Sequence, residues 1–248
     1  MRTIVAIGGG SMIEGATRSI DEHIVKLTRK KNPRVLFIPT ASSDDPMYWE
    51  NFQKVYGDKL GCRPEVLFLL KRKVSKKEIH DKIERADIIY VGGGNTLKMM
   101  RRWRLLGVDI LLKKAWNSGT IMAGTSAGAI CWFKFGHSDS MFYYHPEKWN
   151  HIRVKGLDLV NTTFCPHYLK EKRDAHFRKM ILKKGGVGIA CDDCSAIEIR
   201  NTDSYKILTS KKGANSFRVY KKNGEIIHEV IEISKEFKPL AEILIPRK

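Results

Sequence analysis

Five short apolar runs constrain this chain more than any other feature. They are TIVAIGG (3–9), RVLFIPTAS (34–42), VLFLL (66–70), DIIYV (87–91) and TIMAG (120–124). Each is continuous rather than alternating, which is the pattern of strands buried on both faces. Between them, apolar residues recur at helical spacing: Ile20, Ile24 and Leu27; Phe52, Val55, Tyr56 and Leu60; Ile79, Ile83 and Ala86; Leu97, Met100 and Trp103; Leu111, Leu112 and Ala115. Ser11 with Glu14, and Ser75 with Glu78, have the spacing of capping boxes and predict helix starts. The rhythm predicts an α/β fold with a parallel sheet covered by helices on both faces.

After about residue 186 the pattern changes to short β runs: SAIEIR, YKILTS, SFRVYKK and EIIHEVIEI. Asn223-Gly224 between the last two predicts a tight type I′ hairpin. No linker-like stretch and no repeat interrupts the chain. The expectation is a single domain over 1–248, with an antiparallel β extension over about 200–248.

Composition narrows the function classes. The net charge is +18, and the densest basic run is KRKVSKK at 71–77. The basic clusters are scattered and carry no interleaved aromatics, so solvated surface lysines are expected rather than a specific nucleic-acid partner. No run of 18 apolar residues exists, so no membrane partner is expected. The first apolar run is too short for a signal peptide, which predicts a cytoplasmic protein. Five cysteines in a chain of 248 residues argue against a disulfide framework. Cys191 and Cys194 form a C-x-x-C without a second ligand pair, so reduced, buried thiols are expected and no metal or other cofactor.

The chemistry concentrates around GTSAG (124–128). A G-x-S-x-G between a strand and a helix is a nucleophile elbow: a turn so tight that only small neighbours fit, which lifts the serine hydroxyl into the open. Ser126 is the candidate nucleophile, and the Ala127 N–H points to the same spot. A serine needs a base. His23, His80, His176 and His228 fall within surface helices or strands and read as solvated. His137, His145 and His151 lie in a polar, aromatic loop that could line a site. His167 follows the apolar run VNTTFCP (160–166), just past the end of a strand, where open α/β sheets build their sites; it is the candidate base. The carboxylate that orients it is Asp193, Asp139 or Asp192, and spacing alone leaves the three open. VGGGNT (91–96) also follows a strand and supplies Gly94 as a candidate second oxyanion donor. The GGG at 8–10 reads as a tight turn.

The set VGGGNT, GTSAGA and PH, with PRVLFIPTAS at 33–42, resembles the dipeptidase E and cyanophycinase family of serine peptidases over about residues 1–200. The resemblance implies a three-layer α/β/α sandwich like class I glutamine amidotransferases. It also implies Ser126 as nucleophile, His167 as base, and Gly94 and Ala127 as the oxyanion hole. Asp193 stands where the family's D-E-x-T-A pattern carries glutamate, and Asp139 matches a second aspartate with an assigned role. Arg173 matches the arginine that holds a substrate carboxylate, and Asn95 joins it as a substrate-binding residue. The implied activity is hydrolysis of short peptides, including dipeptides with N-terminal aspartate, through an acyl-enzyme. The small peptide would be the partner, and a homodimer is compatible with the sequence. The alternative is a non-catalytic small-ligand or peptide-binding protein on the same fold.

Overall fold

The computed structural model describes residues 1–71 and 73–245. Arg72 of the basic run and residues 246–248 of the expected extension lie outside them. The first half runs β1 (Thr3–Ile7), α1 (Arg18–Leu27), β2 (Arg34–Ile38), α2 (Pro46–Phe52), β3 (Arg63–Val66), α3 (Lys76–Glu84), β4 (Ile88–Val91), α4 (Thr96–Leu106), α5 (Val108–Asn117), β5 (Ile121–Thr125) and the single turn α6 (Ala127–Ile130). The second half runs β6 (Phe133–Ser138), β7 (Ile152–Lys155), β8 (Val160–Cys165), α7 (Asp174–Lys184), β9 (Val187–Cys191), β10 (Ser195–Arg200), β11 (Ser204–Thr209), β12 (Ser216–Lys222), β13 (Glu225–Val230), β14 (Lys238–Pro239) and α8 (Ala241–Leu244).

The central sheet has the order β14-β11-β10-β1-β5-β4-β2-β3. Its β1, β5, β4, β2 and β3 are parallel, and β10, β11 and β14 add antiparallel strands beside β1. Side chains alternate along these strands and so feed two cores. Ile4, Ala6, Leu36, Ile38, Ile89, Val91 and Met122 face α3, α4 and α5, where Ile79, Met100, Trp103 and Leu112 meet them. Val5, Ile7, Val35, Phe37, Ile88, Tyr90 and Ala123 face α1 and α2, with Ile20, Ile24 and Phe52 opposite. The continuous apolar runs of β1, β2, β4 and β5 are thus explained: both faces of these strands are covered. The result is an α/β/α sandwich.

Four features differ from the sequence expectation. A second sheet, β13-β12-β9-β8-β6-β7, stands beside the first. The antiparallel strands after 200 therefore do not make one extension, because β11 and β14 widen the central sheet while β12 and β13 widen the second. The third strand covers 63–66, not 66–70. Leu67 N–H still donates to the Phe37 carbonyl at 2.9 Å, but the Asp44 carboxylate takes the N–H groups of Leu70 and Lys71 and turns the chain out of the sheet. Ser11 does not open a helix, since Gly15 at φ +76° interrupts the segment and α1 begins at Arg18. The helix after Ser126 is one turn, too short for a strong macrodipole, so its free N–H groups carry the polarity.

The other local signals hold. Ser75 Oγ accepts from Glu78 N–H at 3.0 Å and caps α3. Asn223 (φ +50°) and Gly224 (φ +88°) form the β12–β13 turn, with Lys222 paired to Glu225.

Candidate active site

Ser126 stands at the turn from β5 into α6, half-buried, with φ +55° and ψ −116°. That backbone is strained for a residue with a Cβ. The turn is held because Ser126 N–H donates to the Ile7 carbonyl at 3.1 Å. A methyl group on Gly124 would strike the Gly128 carbonyl, and one on Gly128 would strike the Val91 carbonyl. The small residues of the motif are therefore dictated by backbone packed on backbone. The turn after β4 passes alongside: a methyl group at Gly93 would sit 3.3 Å from Ser126 Cβ and 3.8 Å from its Oγ. Gly94 has φ +129° and abuts the Ala41 carbonyl, a position that only glycine fits.

His167 follows β8 of the second sheet. It also has a left-handed backbone, at φ +52°, and its N–H donates to the Gly8 carbonyl at 3.2 Å. Ser126 and His167 thus hang from consecutive carbonyls at the C-terminal end of β1. The turn between β9 and β10 brings Asp193 to the same place through a parallel bridge to Gly9. His167 Nδ1 and Asp193 Oδ1 are 2.6 Å apart. The hydrogen bond of the His167 ring is to Asp193, not to Ser126.

Lys170 Nζ donates to the other Asp193 oxygen at 2.6 Å, and Glu171 lies 3.8 Å from His167 Nδ1. Burial alone would raise the Asp193 carboxyl, but the hydrogen bonds and positive charge of His167 and Lys170 outweigh it and hold the group down at about 2. Asp193 is therefore ionised wherever a peptide-cleaving site works. A carboxylate so placed favours the tautomer with the proton on His167 Nδ1.

Of the three carboxylates left open by the sequence, Asp193 alone bonds the His167 ring among the described residues. Asp192 Oδ1 accepts from Leu169 N–H at 2.9 Å. Asp139 accepts from Arg173 Nη2 at 2.9 Å. Arg173 is 1% exposed and is also paired with Glu171, so its guanidinium is committed inside the protein and does not face a substrate. Asn95 is buried, and its Oδ1 accepts from Lys98 N–H at 3.0 Å as the cap of α4. An open cleft of about 670 Å³ borders Asp193, Lys170 and the Lys211–Lys212 turn, but Ser126 does not line it. All five cysteines are free and buried, and burial pushes the Cys191 thiol up to about 12.

Two parts of the site escape a reading of the sequence. Gly9 is the floor under the pair, where a methyl group would collide with both the His167 ring and the Asp193 carboxylate. The signal was present as three glycines at the end of the first strand. Lys170, three residues after the histidine, carries no motif.

The class that this fold and site define is an α/β protein with a strained serine elbow beside an acid-held imidazole. The model of peptidase family S51 matches residues 4–207, and the chain belongs to that family and is a peptidase. It is 35% identical to an uncharacterized peptidase, YgaJ, of Bacillus subtilis strain 168 over 236 residues, 94% of this chain and 96% of that one. It is 36% identical over 104 residues to Peptidase E of Actinobacillus pleuropneumoniae serotype 5b, 40% of this chain and 41% of that one. Among solved structures, a peptidase from an acI-B1 Actinobacterium superposes with a TM-score of 0.72 at 19% identity, covering 96% of both chains. A Peptidase E-like protein from Listeria monocytogenes EGD-e superposes at 0.59 with 21% identity, covering 94% of this chain and 100% of that one. Both share the fold. No helix among the described residues is long and apolar enough to cross a membrane.

Proposed function

We propose that this chain is a serine peptidase of short peptides and that Ser126, His167 and Asp193 act as its triad. Ser126 Oγ attacks the scissile carbonyl as its proton passes to His167 Nε2. The same imidazole then protonates the leaving amine, and water hydrolyses the acyl-enzyme with His167 again as base. The N–H groups of Gly94 and Ala127 receive the developing oxyanion, a contribution of about 3 kcal/mol per donor. The observation that carries this reading is the anchoring of Ser126 and His167 on the consecutive carbonyls of Ile7 and Gly8, with Asp193 2.6 Å from His167 Nδ1. A direct Ser126–His167 hydrogen bond is not required beforehand, because such contacts commonly tighten when substrate binds.

The substrate range follows from what is free. With Arg173 bonded to Asp139 and Glu171, the family-like arginine offers no support for a strict N-terminal aspartate requirement. The reading is a short-peptide enzyme with broader selectivity. The test is labelling by a fluorophosphonate probe, together with hydrolysis of a dipeptide panel that includes Asp-Xaa substrates. Ser126→Ala should abolish labelling and lower kcat/KM by about 10⁴-fold or more. Unlabelled but folded wild-type protein would turn the assignment toward a binding role, and equal hydrolysis by both proteins would remove Ser126 from the chemistry.

A further inference from the structure

Three histidines outside the Ser126 site converge from separate elements. His137 lies on β6, His151 immediately precedes β7, and His176 is in the first turn of α7. Each offers one ring nitrogen, and the three nitrogens lie within 4.8 Å of one another. His137 Nε2 and His176 Nδ1 are 2.9 Å apart, and the His151 ring stacks on His137 with centroids 4.3 Å apart. His176, read from the sequence as a solvated surface residue, is half-buried in this cluster, while His145 is exposed and takes no part. His137 is fully buried, and its Nδ1 has no hydrogen-bond partner among the described residues. That Nδ1 is the ring nitrogen other than the Nε2 that meets His176, so it is the convergence of the three rings that points to an ion.

We propose that His137, His151 and His176 form a binding site for a late first-row divalent metal ion, Zn²⁺ in the first instance. Imidazole nitrogen suits Zn²⁺, Ni²⁺ and Cu²⁺ and disfavours Mg²⁺ and Ca²⁺, which want oxygen. Bonds of about 2.0–2.1 Å in a tetrahedral site put the nitrogens about 3.3 Å apart, so the rings need only small shifts to share one ion. The fourth position would take water.

The electrostatics permit it. The charge of Arg173, which also donates to the His137 carbonyl, is balanced by Asp139 and Glu171. An ion here would pin the 139–151 segment to α7.

The test is Co²⁺ and Zn²⁺ binding to the untagged, chelator-treated protein. One Co²⁺ per chain should bind with the intense visible absorption of a tetrahedral site, and Zn²⁺ should displace it and raise Tm. His151→Ala and His176→Ala should each weaken binding by more than the roughly 10–100-fold that loss of an outer-shell partner costs. His80→Ala, on the exposed face of α3, should bind as the wild type does. His176→Gln guards against a packing artefact, since it fills similar space and should still lose the ion. Absence of a one-to-one complex, or binding indifferent to His151 and His176, would overturn the proposal.

Discussion

Gly9 leaves no room for a side chain beneath the His167 ring, and this makes it the most exacting position of the site at the residue scale. Gly9→Ala should displace the imidazole and its aspartate together. The expected outcome is a fall in kcat of about 10²-fold, the cost of misplacing a reacting group by about 1 Å, with KM little changed; steady-state kinetics on a cleaved dipeptide would read it. Asp193→Asn keeps the shape but cannot hold the same tautomer, so kcat should drop by about 10⁴-fold. The carboxyl of Asp193 is held below its ordinary value in the folded protein. Its stabilising contribution is complete above about pH 4 and is lost as pH falls through about 2. Acid unfolding of the wild type and of Asp193→Asn should therefore differ most above that window and converge within it.

At the scale of elements, the clip between α1 and the helical stretch that continues α2 decides how the N-terminal face closes. Asp21 on α1 is fully buried, accepting from Thr17 Oγ1 at 2.7 Å and from Tyr56 OH at 2.8 Å. Burial raises its carboxyl to about 6 against these two bonds. Its charged form is thus disfavoured in the fold, so its contribution is best at low pH and weakens as pH rises from about 4 through about 6, opposite in sign to Asp193. Tyr56→Phe would leave Asp21 Oδ1 unpaired and should cost about 1–3 kcal/mol in denaturant unfolding at neutral pH. The capped start of α3 and the Asn223-Gly224 hairpin were legible in the sequence because each depends on a few adjacent residues. The end of β3 was not, because Asp44, remote in sequence, takes the N–H groups that would have extended the strand.

For the whole molecule, a net charge of +18 has a kinetic consequence for a peptidase. Acidic peptides should be drawn to the surface, so kcat/KM for an acidic dipeptide should fall several-fold between about 20 mM and 500 mM salt, while a neutral dipeptide changes little. A salt effect equal for both would mean that the charge acts on the protein and not on encounter. The site itself belongs to the whole molecule, since Ser126 comes from the central sheet and His167 and Asp193 from the ends of strands in the second. What the sequence determined alone was the covered parallel sheet and the serine elbow, because apolar period and the steric demand for small neighbours are local. From its place after a strand, the sequence put forward His167 as the candidate histidine. Which carboxylate would hold that histidine was left to the tertiary structure, because Asp139, Asp192 and Asp193 each sit in plausible local settings. The choice follows from the β9–β10 turn docking on Gly9 and from Arg173 drawing Asp139 away, contacts between segments far apart in the chain that no local pattern encodes.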